Sequence, residues 1–292
     1  MIDDNRIIIE AWNTVLFDKF VRFKHLLIDG LAGHSNEALS RHPPRKGSRV
    51  LDVGCGFGDS TVKIAAAVGP GGEALGVDCA PRFVAAATDA GRAAGVGNVS
   101  FFVADVERDD LRGPYDSAFS RFGTMFFNMP GAAMRNIRRA LKPDGELRMI
   151  VWRRREDNPW VHDAELCVKE IVPQVSHEDT DQVHCGPGPF SLAGADMVSD
   201  MLKSTGYDRI GFERFDAPIC IGRSLDEAID FAMARGPAGE IIRLAAEEGE
   251  RRKEQVAAAL REVLGVYRRD DGSVWAPSST WFVSARNGGA GA

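Results

Sequence analysis

The stretch Val50-Leu51-Asp52-Val53-Gly54-Cys55-Gly56-Phe57-Gly58-Asp59-Ser60-Thr61 sets three glycines at alternate positions between two acids. Glycines so spaced let a chain turn sharply and bring its backbone against a ligand with no Cβ in the way. The pattern is G-x-G-x-G, not the G-x-G-x-x-G of dinucleotide-binding folds. A pyrophosphate would sit at the start of the following helix, drawn by free N–H groups, and Asp52 and Asp59 would repel it there. The two carboxylates suit a ligand with a cationic end. Asp59 can equally be a plain helix cap, and that alternative stays open. Asp78 lies twenty positions past Gly58 at the end of a second β-prone run, where such folds place an acid on ribose hydroxyls. Each charge-assisted hydrogen bond there contributes about 1.5–3 kcal/mol before desolvation. Asp105 closes a third run, Phe102-Val103-Ala104-Asp105-Val106, and is placed to accept from an exocyclic adenine amine.

These residues need strand tips to hold them, and the pattern supplies them. Strands are expected at 49–53, 74–78, 99–104, 115–120 and 146–152, with helices at 61–68, 81–94 and 131–141 between them. Lys142-Pro143-Asp144-Gly145 reads as a turn. Strands alternating with helices predict a parallel sheet covered on both faces. Residues 7–39 are helical in pattern, with Trp12, Val15, Leu16, Lys19, Phe20 and Phe23 near one face. After Trp152 the rhythm breaks into helices at 160–172 and 195–205, a strand at 208–221, a mostly helical stretch at 224–267 and a last strand at 275–285. Four segments are therefore expected: an N-terminal helical cap (1–45), a ligand-binding core (46–155), an insertion with a helix (156–207) and C-terminal strands with a helical insert (208–287).

Composition narrows the classes of function. The 292 residues carry 36 Lys and Arg against 42 Asp and Glu, a net charge of −6; a nucleic-acid binder would show a basic footprint. The five cysteines include no CxxC pair and the six histidines no HExxH, so neither a disulfide framework nor a metal is expected. No apolar run reaches the roughly 18–20 residues of a membrane span. The first ten residues, MIDDNRIIIE, hold acids where a signal peptide has bases. A cytoplasmic protein is expected.

LDVGCGFG, the aspartate ending GVD, the aspartate ending VAD, and LKPDGEL before a fifth strand together resemble the class I S-adenosylmethionine-dependent methyltransferases. The similarity is to the ubiquinone/menaquinone-biosynthesis type and its small-molecule relatives, and it covers residues 49–152. It implies a Rossmann-like α/β fold: a seven-stranded, mostly parallel sheet with an antiparallel last strand, helices on both faces and helical cap insertions. It implies S-adenosyl-L-methionine as cofactor and S-adenosyl-L-homocysteine as product. Asp52 and the backbone of Gly54 and Gly56 would hold the methionine part and Asp78 the ribose. Asp105 and the backbone of Val106 would hold the adenine. Ser120 would lie near the sulfonium, with Cys55 and Cys79 completing the contacts.

Methyl transfer is an in-line displacement that asks mainly for alignment, which can supply about 7–11 kcal/mol of the barrier. A base is needed only where the nucleophile must lose a proton. His162 and His184 are the histidines to test for that role. Arg121 is a candidate to bind an acidic or phenolate acceptor, with a structural ion pair as its alternative. Phe122, Met125, Phe126 and Trp160 are expected to line the acceptor pocket. Trp12 would cover the cofactor, where an aromatic face near a cation contributes about 0.5–2 kcal/mol. No NPPY-like tetrad follows the fourth strand; SRFG stands there. The expectation is methyl transfer to a small organic or lipid-like acceptor, with no nucleic-acid partner. A nicotinamide-dependent oxidoreductase and a non-catalytic cofactor-binding module are the rival readings.

Overall fold

The computed structural model describes residues 4–175 and 186–288. Helices α1 (Asp4–Ala11), α2 (Phe17–Arg22) and α3 (Ala32–Arg41) come first, with π-helical turns at Trp12–Leu16 and Leu26–Gly30. An alternating stretch follows: β1 (Arg49–Val53), α4 (Asp59–Val68), β2 (Glu73–Asp78), α5 (Pro81–Ala93), β3 (Val99–Val103), β4 (Tyr115–Arg121), α6 (Pro130–Ala140) and β5 (Leu141–Trp152). Then come α7 (Pro159–Ile171), α8 (Ala195–Ser204) and β6 (Tyr207–Gly222). Helices α9 (Leu225–Ala234), α10 (Gly236–Leu244), α11 (Ala246–Arg251) and α12 (Lys253–Gly265) separate β6 from β7 (Val274–Asn287).

The strands form one sheet in the order β3-β2-β1-β4-β5-β7-β6. The first five strands pair parallel, and β7 runs antiparallel to both β5 and β6. This is the expected fold class. Period-two alternation divides the core. Val50 packs with Ile64 and Val68 of α4, while its neighbour Leu51 packs with Met134 and Ile137 of α6 on the other face. Because both faces are covered, Val50, Leu51 and Val53 of β1 are all buried, Leu51 and Val53 with no exposure.

Strand β1 lies between β2 and β4, so the chain leaves it to one side and later returns on the other. That reversal opens a crevice beyond the carboxyl ends of β1 and β4, where open α/β sheets bind ligands. The insert helices roof the crevice: α10 and α12 pack on α7, and α9 packs on β6.

Two expectations are refined. Lys142–Gly145 is not a turn before the fifth strand but an excursion within it: Leu141 already pairs with Tyr115, and Glu146 pairs with Ser117. Asp144 takes a positive φ of 58° to make the bend. The helical stretch at 7–39 is interrupted by its two π-helical turns, which shift the face that the side chains present.

Candidate functional site

A cavity of about 790 Å³ occupies the crevice, within the range of roughly 300–1,000 Å³ usual for ligand pockets. Its floor is the glycine loop after β1. The N–H groups of Gly54 and Cys55 both donate to the Val77 carbonyl, at 2.9 and 3.0 Å, tying the loop to β2. Gly54 has φ +67°, and a Cβ there would lie 2.9 Å from Gly123 Cα, so only glycine lets the two strand-end loops meet. Gly56 has φ +53° and a Cβ there would meet nothing within 4 Å, so this bend is bare toward open space.

Asp78 is tied to the same loop. Its Oδ2 accepts from the Gly56 N–H at 3.0 Å and its Oδ1 from the Ala80 N–H at 3.1 Å. Burial pushes its carboxyl above the usual range, opposed by those backbone donors. Asp105 also lines the cavity, with Val106 beside it. Its Oδ2 accepts from Asn5 Nδ2 at 2.6 Å and faces Arg108 Nε at 2.9 Å, and its Oδ1 accepts from the Glu107 N–H. Cys55 and Cys79 line the cavity too; burial and the neighbouring Asp78 charge push both thiols up, so neither is a thiolate nucleophile at neutral pH.

Trp12 stands over the cavity from the N-terminal segment, its ring edge-on to Phe126 at 4.9 Å and Phe20 at 5.2 Å. Val15, Leu16, Lys19 and Phe20 line the same cavity. The far end is an apolar chamber. Phe122 stacks on Trp152 at 4.3 Å, Trp160 stacks on Phe231 at 6.2 Å, and Met125 and Phe126 complete the wall.

Four expectations are corrected. Asp52 does not reach the cavity. It is 1% exposed, and its Oδ2 accepts from Ser60 Oγ at 2.8 Å and Thr61 Oγ1 at 2.6 Å. It therefore fixes the start of α4 beneath the loop, and burial raises its pKa to about 6. Ser120 also lies behind the wall: it has no exposure, and its hydroxyl donates to the Val53 carbonyl at 2.8 Å, joining β4 to β1. Arg121 lines the cavity and is held in an ion pair, with Nη2 2.7 Å from Asp59 Oδ1 and its buried Nη1 without a hydrogen-bond partner. This is the structural alternative. His162 is outside the cavity wall, because α7 turns Trp160, Val161, Ala164, Glu165 and Lys169 toward it instead. His184 lies outside the described residues.

Several wall residues carried no sequence signal. Asn5 and Glu107 line the cofactor end. Glu107 accepts from the Asn128 N–H at 2.7 Å. At the far end Glu165 is held between Arg155 and Lys169, each at 2.7 Å, and Arg235 enters from the break between α9 and α10. The only available hint for Glu165 was its helical spacing from Val161 and Lys169.

A parallel sheet with one reversed strand, a G-x-G-x-G bend after β1 and acids beyond the tips of β2 and β3 are the features expected from the resemblance to class I S-adenosylmethionine-dependent methyltransferases. Residues 50–145 match the family model described as the methyltransferase domain. The chain is 30% identical over 175 residues to nocamycin O-methyltransferase of Saccharothrix syringae, covering 56% of this chain and 60% of that protein. It is 25% identical over 181 residues to the ubiquinone/menaquinone biosynthesis C-methyltransferase UbiE of Pasteurella multocida, covering 60% and 68%. It is 33% identical over 106 residues to demethylmenaquinone methyltransferase of Staphylococcus aureus, covering 35% and 42%. The matches thus span about two-fifths to two-thirds of these relatives. In fold it is similar to the YcgJ protein of Bacillus subtilis, with a TM-score of 0.56 at 16% identity, covering 88% of this chain and 99% of that one. It is similar in fold to phosphoethanolamine N-methyltransferase 2 of Haemonchus contortus, with a TM-score of 0.50 at 19% identity, covering 88% and 52%. Among the described residues no helix is long and apolar enough to cross a membrane.

Proposed function

We propose that the chain transfers a methyl group from S-adenosylmethionine to a small organic or lipid-like acceptor. The observation that carries this reading is one continuous cavity joining the bare Gly56 bend and Asp78 to a chamber walled by aromatic residues. The residues present fit the cofactor. Gly56 leaves room for close backbone approach, and Asp59 has a buried Oδ2 with no partner, suited to an ammonium group. When bound, the cofactor supplies a methyl group on a sulfonium, already activated for displacement.

In this reading the chain aligns and excludes water. Asp78 orients the ribose, and Asp105 with the Val106 backbone orients the adenine. Gly54, Cys55 and Gly56 cradle the methionine end with Asp59. Asp52 acts one layer below, by pinning Ser60 and Thr61. Trp12 closes the cavity from above, and an aromatic ring beside a cation contributes about 0.5–2 kcal/mol. Phe122, Met125, Phe126 and Trp160 bind the acceptor's apolar part. The O- and C-methyltransferase names of the relatives support an organic acceptor. A cytoplasmic setting belongs to the same reading, supported by the free thiols of Cys55, Cys79, Cys167 and Cys220.

The test is incubation with methyl-tritiated S-adenosylmethionine and a fractionated cell extract. The reading expects label in the small-molecule or lipid fraction. Label confined to nucleic acid or protein contradicts the acceptor class, and binding of NAD(H) without S-adenosylmethionine contradicts the activity.

A further inference from the structure

Among the described residues of the chamber, the Arg235 guanidinium has no acid to meet it. Helix α9 ends at Ala234 and α10 begins at Gly236, whose φ is +68°. Between them Arg235 is extended, with φ −141° and ψ 160°, and its side chain lines the cavity. The guanidinium carbon stands 3.6 Å from the centre of the Phe20 ring. Other cations of the wall are matched: Arg121 by Asp59, Arg155 and Lys169 by Glu165, and Arg243 by Glu240. Among the described residues no such partner faces Arg235, and burial alone lowers its pKa to about 9.

Arg235 is half-buried on the cavity wall, and a guanidinium partly withdrawn from water is stabilised by a ligand that brings the counter-charge. Its planar fork matches a carboxylate or an acidic enolate, and a stacked ring holds the fork in place. Trp160 and Phe231 lie along the same chamber, stacked on each other. We propose that Arg235 binds the acidic group of the acceptor, so that the acceptor class is an amphipathic molecule with an apolar, ring-sized body and one anionic oxygen group. This proposal rests on the methyltransferase reading above and deepens it: Arg235 takes the anion-binding role in place of Arg121, which is paired with Asp59.

The probes are 8-anilino-1-naphthalenesulfonate and N-phenyl-1-naphthylamine, which share one ring system and differ by the sulfonate. Both are titrated by fluorescence into protein saturated with S-adenosylhomocysteine. The wild-type protein should bind the sulfonate at least tenfold more tightly than the neutral probe. Arg235→Met should erase that preference while the neutral probe keeps its affinity within twofold. Equal loss for both probes would mean that Arg235 only clamps α2 to the insert, and would overturn the proposal. So would a wild-type preference below threefold, which decides the matter even if Arg235→Met does not fold. Failure of the methyltransferase reading shows separately, as no binding of S-adenosylhomocysteine in the first step.

Discussion

Replacing Gly56 with alanine separates the cost of the bend from the cost of blocking the ligand. At φ +53° an L-residue is strained, by about 1–2 kcal/mol for a left-handed conformation. The new Cβ meets no protein atom within 4 Å, so no packing term is added. A loss of 1–2 kcal/mol lowers Tm by roughly 2–8 °C in a chain of this size. Gly95 provides the control: its φ is +65°, a Cβ there also meets nothing within 4 Å, and it lies just past α5, outside the cavity wall. Gly95→Ala should therefore destabilise by a similar amount. Only Gly56→Ala places a methyl group where the cofactor must approach. Overpacking of that size costs about 1–3 kcal/mol, or roughly 5- to 150-fold in Kd. The assay pairs thermal melts with isothermal titration of S-adenosylhomocysteine for both variants. Unchanged affinity in Gly56→Ala, or equal weakening in Gly95→Ala, would refute the assignment of the bend.

Asp78→Ala should weaken S-adenosylhomocysteine by at least tenfold, since each charged hydrogen bond contributes about 1.5–3 kcal/mol; titration showing less than a threefold change would remove the ribose role. Arg121→Met should destabilise the fold by about 2–3 kcal/mol, because Asp59 then loses its partner at a site where both side chains are under 15% exposed. A double-mutant cycle with Asp59→Asn should give a coupling above about 1 kcal/mol by urea unfolding, and additive losses would contradict the pair. The pH dependence has two opposing parts. Burial raises the pKa of Asp52 from 3.8 to about 6, against hydrogen bonds from Thr61 and Ser60, so its contribution is full below pH 3.8 and is lost as pH rises through 6. Burial, with the Arg121 charge, lowers the pKa of His34 from 6.5 to about 4, so its contribution is present above pH 6.5 and is lost as pH falls through 4. Asp52→Asn removes the first slope. The stability of wild type minus variant should therefore fall by about 2 kcal/mol between pH 4 and 6.5, and a flat difference would contradict the burial of a charged Asp52.

The sheet was legible because its central strands are short apolar runs punctuated by glycine, and because Asp78 and Asp105 close two of them. The aromatic end of the cavity was legible in Phe122, Met125, Phe126 and Trp160, which lie in the stretches after β4 and β5. Asp52 and Ser120 were misplaced for a geometric reason. Residues that close a strand point to alternate faces, and Asp52 shares the α4 face with Val50. Arg121 could not be resolved from sequence, since its partner Asp59 is sixty-two residues away. Arg235 sits in the stretch at 224–267 read as mostly helical, and its extended backbone and place on the cavity wall show only in three dimensions. His162 fell outside because α7 turns a different stripe inward.

The most direct measurement is a crystal structure with S-adenosylhomocysteine. The ribose hydroxyls should lie within hydrogen-bond distance of Asp78, with the adenine beside Asp105 and Val106 and the sulfur facing the chamber of Phe126 and Trp160. An adenosyl group bound elsewhere, or a crevice that accepts only a pyrophosphate-linked dinucleotide, would contradict this account.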